Sequence, residues 1–321
     1  AKFHYSLWAS SSTSQGFSAA RSALEGNTEA DGYKNLSFSA RLGYKAADNI
    51  DLDLAARYID TKSDIDNYGS TFGDDPNNTQ TYDSLYLKGL FRGLFLKNRW
   101  EQRLALSLVN SQRETDNPTD EQHPLDSDSS LYKSSLIKLD WQNNLFLHDS
   151  NTLTFGAEYQ QERGESSYHS QSIWGISSSL FPRKKADNTG FYIQDQMRLA
   201  GLFFLTAGAR LDSHSQSGHT LTYRIAPALF FQNSNTKLKA TFGTGFKSPS
   251  LYQLYAPANI WGPIGNENLK PEKTTSWDLG IEQDLWDGNI HLGGTYFSNR
   301  FENLIEYDYT QGYINISKAS S

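Results

Sequence analysis

The chain of 321 residues contains no cysteine. That excludes a disulfide framework, a thiol nucleophile and any cysteine-ligated metal centre. It has no run of about 18 apolar residues, so no transmembrane helix is expected. Helical periodicity is missing as well, because no stretch repeats its apolar residues strongly at 3.6-residue spacing. The 7 histidines show no HxxxH-type metal spacing. No GxSxG elbow frames a nucleophilic serine. Ser217 and His219, near a strand start, are all that hints at a surface hydrolase, and no enzyme is expected. Positive charge is scarce: 29 Lys and Arg against 36 Asp and Glu give a net charge of -7, which argues against a nucleic-acid partner.

What the sequence does have is alternation. Residues 50–59 show it most clearly, with Ile50, Leu52, Leu54, Ala56 and Tyr58 opposite Asp51, Asp53, Ala55 and Arg57. Period-2 runs recur at residues 3–10, 36–44, 82–91, 103–108, 131–141, 153–160, 190–198, 202–212, 220–231, 237–244, 275–285, 290–298 and 313–317. The pattern predicts about 14 strands, each near the length a tilted transmembrane strand needs. A mean hydropathy of -0.62 looks water-soluble. Aromatics nevertheless make up 13% of residues, a mixture expected where only alternate side chains face lipid.

The connections sort by parity. Short turns are expected at 47–49, 95–98, 143–151, 199–201, 233–235 and 286–289, and long loops at 11–34, 61–81, 114–130, 164–186 and 246–272. The connection at 213–218 falls among the long ones and is brief. Outer-membrane barrels have such alternation, with short turns on one side and long loops on the other. Aromatics near strand ends, among them Tyr44, Trp100, Trp141, Phe204 and Trp286, fit interfacial girdles. The fold class expected is all-β, an antiparallel transmembrane β-barrel. The opening residues already read as a strand, so residues 1–321 are expected to be one partial barrel domain, truncated at both ends.

Residues 241–278 stand apart. The stretch leaves a strand as Phe-Lys-Ser-Pro-Ser-Leu-Tyr-Gln-Leu-Tyr (246–255) and returns through Gly265-Asn266-Glu267-Asn268-Leu269-Lys270-Pro271-Glu272-Lys273. Pro249, Pro257, Pro263 and Pro271 cannot continue a ladder, so the loop is expected to have a shape of its own. Tyr252, Tyr255 and Trp261 on it, with Trp174 from the 164–186 loop, are candidate substrate contacts, since aromatics offer rigid amphipathic area. The same strand, F-K-S-P-S-L-Y-Q-L-Y, loop, G-N-x-x-L-x-P-E-K pattern resembles a signature of TonB-dependent outer-membrane receptors, most of all the vitamin B12 (cobalamin) branch. The resemblance covers the middle of the barrel. It implies a location in the bacterial outer membrane and capture of a scarce nutrient, cobalamin in the first instance, by extracellular loops. TonB would act through a plug that this chain does not contain. Plugged transporters have about 22 strands, so about eight would lie elsewhere.

The acidic loops give a metal candidate. Residues 25–33 read Glu-Gly-Asn-Thr-Glu-Ala-Asp-Gly-Tyr, and Asp64-Ile65-Asp66 follows one hairpin later. Calcium takes six to eight oxygen ligands, which two convergent acidic loops can supply. The resemblance implies a structural Ca2+ held by Glu29, Asp31, Asp64 and Asp66. Ser18 stands where it implies a further acidic partner after Gly16-Phe17. The basic triplet Arg183-Lys184-Lys185 is a candidate contact for lipopolysaccharide phosphates in the bilayer, or for an anionic siderophore. Two alternatives stay open: a siderophore or haem receptor, and, in another class, a porin-like or structural barrel.

Overall fold

The computed structural model describes residues 2–17, 30–65, 77–121, 123–259 and 262–321. They form strands β1 (Phe3–Ser14), β2 (Tyr33–Ala47), β3 (Ile50–Asp64), β4 (Thr79–Phe95), β5 (Trp100–Asn117), β6 (Ser127–His148), β7 (Asn151–Ser172), β8 (Gly175–Leu199), β9 (Phe203–His214), β10 (Gly218–Phe231), β11 (Thr236–Lys247), β12 (Glu272–Leu285), β13 (Ile290–Asp308) and β14 (Gly312–Ser320). A one-turn helix, α1 (Leu251–Tyr255), sits between β11 and β12. All 14 strands make one sheet in chain order, and every neighbouring pair is antiparallel. Each expected run falls on one of these strands, with residue 202 alone just outside.

Register explains why the sheet has two chemically different faces. One ladder runs Phe3, Tyr44, Leu52, Phe91, Leu104, Trp141, Ala157, Phe191, Leu211, Leu221 across β1 to β10. The ladder one residue away runs Asp51, Arg92, Arg103, Gln142, Gly156, Tyr192, Arg210, Thr222 across β3 to β10. Successive side chains of a strand point to opposite faces, so the first ladder belongs to an apolar face and the second to a polar one. A one-residue slip anywhere would exchange the two sets.

The apolar face is solvent-exposed in the isolated sheet: Leu54 is 50% exposed, Phe191 59% and Leu279 55%. An apolar surface of this extent is what a lipid-facing barrel wall requires, and water-soluble monomers rarely carry one. The polar face is knitted by ion pairs. Arg210 reaches Asp212 at 2.7 Å and Glu158 at 3.0 Å, and Lys138 reaches Glu158 at 2.7 Å. Further along, Arg92 joins Glu101 and Asp51, and Asn144 donates to Glu101. Gly156 is needed in this layer, because a Cβ there would stand 2.4 Å from the Tyr192 hydroxyl.

The turns at 48–49 and 149–150 lie at one rim and the loops after odd-numbered strands at the other. One expectation is corrected at the long-loop rim. Residues 164–186 are not a loop. They are the upper halves of β7 and β8, which stay paired from Ser166↔Phe181 to Ser172↔Gly175 and turn at Ile173-Trp174. The stretch is serine-rich, as loops often are. Its backbone groups are satisfied by the partner strand all the same. β8 is 25 residues long, about 80 Å at ~3.3 Å per residue, against a bilayer core of about 30 Å. Near this rim lie the buried apolar residues Phe181, Ala186, Leu251, Leu254, Ala256 and Leu269, which gather around α1 and the return of its loop.

Candidate ligand-binding site

The site is built by the excursion between β11 and β12. Pro249 precedes Ser250, the N-cap of α1. The Ser250 hydroxyl accepts from the Gln253 N–H at 3.1 Å, and the Ser250 N–H donates to the Gln253 side chain at 2.9 Å. This capping box satisfies two donors that an isolated turn would leave bare, and lets so short a helix hold. The Ser-x-x-Gln spacing was its signal in the sequence.

The return segment fastens the loop. Gly265 lies so close to the helix end that a Cβ would meet the Ala256 nitrogen at 2.5 Å. The Gly265 N–H donates to the Ala256 carbonyl at 3.1 Å. Asn266 donates to the Tyr313 carbonyl at 2.9 Å, tying the loop to β14. Asn315 donates to the Lys270 carbonyl at 3.0 Å, and Leu269 is buried. Glu272 accepts from the Ile305 N–H at 2.9 Å. The G-N-x-x-L-x-P-E-K half of the motif is therefore a staple that fixes the loop to β13 and β14.

So held, α1 leans over the polar face towards β7 and β8. Leu251 packs with Phe181 and Ala186. Gly164 lies beneath, with open space for a Cβ only to 3.7 Å from Phe181 and 3.8 Å from Leu251. Tyr252 is the hub: its ring lies 6.3 Å from Phe181 on one side and 6.3 Å from Tyr313 on the other. Tyr307 extends the aromatic chain, 5.2 Å from Tyr313. Burial pushes the Tyr252 hydroxyl above its ordinary pKa, and the neighbouring tyrosines add to the shift.

Between α1 and the polar face of β4 to β7 lies a cleft of about 540 Å³. Tyr82, Arg113, Tyr132, Glu162, Phe181 and Tyr252 line it. The Arg113 guanidinium is stacked on Tyr132, 4.8 Å from the ring centre. Such a surface suits a bulky ligand with flat apolar faces and a polar edge: rings take the faces, and the arginine, carboxylate and hydroxyls take the edge.

The expected residues are distributed unevenly around this cleft. Tyr252 is in its wall. Tyr255, on the same helix, faces away: its hydroxyl donates to Gln216 at 2.7 Å, and the Lys184 ammonium lies 4.3 Å from its ring centre. Trp174 is 90% exposed at the tip of the β7–β8 hairpin. That tip is about 20 Å along the strands from Phe181. Trp261 lies outside the described residues. So do Glu29 and Asp66 of the expected metal site. Of the other two acids, Asp64 reaches the residue after Asp31: its N–H donates to the Gly32 carbonyl at 2.9 Å, and its carboxylate lies over Gly32. Among the described residues no group of three or more His, Asp or Glu is poised to hold a metal ion. Tyr82, Arg113, Tyr132 and Glu162 were missed, and the continued period-2 count above the apolar belt was the signal that pointed them inward.

The family described as TonB dependent receptor-like, beta-barrel matches residues 3–321. The chain is 26% identical over 295 residues to the vitamin B12 transporter BtuB of Photobacterium profundum, covering 91% of this chain and 43% of that protein. Among solved structures it resembles the siderophore receptor PirA from Pseudomonas aeruginosa, with a TM-score of 0.71, 21% identity and coverage of 99% of this chain and 53% of that one. The copper transporter OprC aligns with a TM-score of 0.74 at 14% identity, covering 98% of this chain and 53% of that one. The chain thus spans about half the length of the relatives it matches.

Proposed function

Because the chain belongs to the TonB-dependent receptor family of β-barrels, we propose that it is the ligand-capturing part of an outer-membrane receptor and that cobalamin is the ligand. The observation that carries this reading is the cleft under α1, walled by Tyr252, Phe181, Tyr132 and Arg113 at the long-loop rim of a membrane-type sheet. Cobalamin offers an apolar corrin face and an amide rim, the complement of such a wall. The relative named a vitamin B12 transporter supports the choice, since it aligns along 91% of this chain. Structural likeness alone does not select the ligand, because the similar structures bear names as different as siderophore receptor and copper transporter. Capture and release are the work proposed, with no bond made or broken. Uptake would draw on TonB through a plug outside this chain.

The helix also favours a receptor over a porin. A porin constriction presents charged side chains on its inward loop. The inward helix here, Leu-Tyr-Gln-Leu-Tyr, carries no charged side chain.

The test is calorimetric titration of cyanocobalamin into the full-length protein in detergent, with and without calcium. Tight binding that weakens about tenfold or more in Tyr252→Ala and Arg113→Ala is the expected result. Absence of binding would remove cobalamin. The second reading, an anionic ferric chelate, has the Arg113 guanidinium in its favour and is examined in the same way with iron chelates. A calcium ion held by Asp31 and Asp64, with Glu29 and Asp66, is part of the first reading. An affinity indifferent to calcium would remove the metal and leave the ligand.

A further inference from the structure

The basic triplet is divided between the faces. Lys184 turns inward onto Tyr255. Lys185 pairs in register with Arg163 on the opposite, apolar side of the sheet. Arg183 meets Glu165 there at 3.8 Å.

On that outer side the chemistry changes abruptly at one level. The row Leu87, Leu108, Ile137 is still apolar on β4 to β6. The next row runs Leu85, Asn110, Ser135, Arg163, Lys185, and the one above it Asp83, Gln112, Lys133, Glu165. A groove of about 580 Å³ crosses this boundary. Lys133, Arg163 and Arg183 line it with Leu85, which is level with Arg163, and with Leu108 and Ile137 one row lower.

Four acids share the region: Asp60 stands opposite Asp83 in register at the β3 end of the row, and the other three are engaged. Asp83 accepts from the Tyr58 hydroxyl at 3.1 Å. Asp187 accepts from Tyr159 at 2.8 Å and Gln161 at 2.6 Å and lies 3.5 Å from Lys185. Glu165 faces Arg183. Lys133 and Arg163 form no ion pair among the described residues. Two unpaired cations directly above an apolar belt are complementary to one kind of molecule, an amphiphile whose phosphate sits just outside the hydrocarbon layer.

We propose that the groove formed by Lys133, Arg163 and Arg183, with Leu85 beside them and Leu108 and Ile137 below, is a binding site for a lipid of the leaflet on the long-loop side whose phosphate headgroup carries net negative charge. The phosphate lies among the three cations, and an acyl chain follows the apolar row below. The site rests on the reading that this face meets lipid. It is separate from the cleft under α1, which opens on the other face.

The test is native mass spectrometry of the full-length protein released from bilayer nanodiscs that contain phosphatidylglycerol and phosphatidylcholine with the same acyl chains. The wild type should retain phosphatidylglycerol about tenfold over phosphatidylcholine. Excess inorganic phosphate should leave that lipid bound, because the acyl chain is held too. The triple variant K133Q/R163Q/R183Q should lose the preference. Glu165→Gln, which removes an acid from among the cations, should strengthen it. The second variant keeps the test decisive if the triple variant fails to fold. Equal retention of both lipids by an inserted wild type, or an unchanged preference in the triple variant, would overturn the site alone. Failure to enter the nanodisc would instead overturn the membrane reading. Displacement of the lipid by inorganic phosphate would reduce the groove to a simple anion site and also overturn the proposal.

Discussion

Hairpins β7–β8 and β9–β10 are neighbours in one sheet and differ greatly in height. The first has strands of 22 and 25 residues, the second of 12 and 14. Both obey the same alternation in the apolar belt, where every second side chain is apolar. Above the belt they part. The tall hairpin continues to a tip at Trp174, and the short one turns at once through Ser215-Gln216-Ser217. The short hairpin leaves a gap in the rim, and α1 leans through it. The helix rests on Phe181 of the tall hairpin, and Tyr255 touches Gln216 of the short one in passing. The difference in height therefore positions the cleft: one hairpin supplies the wall and the other the space to reach it.

The largest effect should come from removing the wall. Phe181 is 5% exposed and joins Leu251 and Tyr252 to β8. Truncating a buried Phe to Ala costs about 3–5 kcal/mol, and here the cost falls on the docking of α1. In Phe181→Ala the amides of Leu254 and Ala256, which donate to Ser250 and Tyr252, should exchange about 100-fold faster. Amides in the middle of β9 should keep their protection. Unchanged exchange at Leu254 would mean that the wall does not hold the helix.

The next effect should come from closing the gap. Six Gly-Ser residues inserted after Gln216 would raise the short hairpin into the path of α1. Docking should weaken about tenfold by hydrogen exchange, more than in Gln216→Ala, which removes only the hydrogen bond worth about 0.5–1.5 kcal/mol. If the two variants behave alike, height is not what matters and the contact is.

Legibility in the sequence follows the same division. Inside the belt every strand was readable, because one apolar face and one polar face force a period of two. The polar ladder from Asp51 to Thr222 is simply the complement of the apolar one. Above the belt both faces are wet, so residues 164–186 lose the alternation, keep their serines, and read as a loop although they pair. The brevity of 213–218 was visible, but its consequence needed the neighbour's height. The helix was hidden because one turn is too short to show a 3.6 period, and only the Ser250–Gln253 box marked it. Tyr252 was legible as an aromatic on a shaped loop. Arg113 and Tyr132 were not, because nothing local to β5 or β6 says that α1 will lie over them.

The smallest effect is one of pH, and it separates the two tyrosines of α1. Burial raises the Tyr252 hydroxyl above its ordinary value of 10.0. Burial raises Tyr255 as well, and the Glu267 carboxylate adds to it. A hydroxyl whose pKa is higher in the docked state favours docking fully below pH 10, and that contribution is lost as the pH climbs through the docked pKa. Residues 1–321 have no cysteine, so a spin label on Ala258→Cys, exposed just past the helix end, reports the α1 loop without touching the capping box. Its mobility should rise above pH 10. Tyr252→Phe should abolish most of the rise, because its ring packs against Phe181 and Tyr313 and the hydroxyls of Tyr313, Tyr132 and Tyr307 oppose its ionisation. Tyr255→Phe should change it little, since that hydroxyl sits at the gap beside Gln216 with the Lys184 ammonium near its ring. The reverse order would mean that the short hairpin, and not the tall one, anchors the helix.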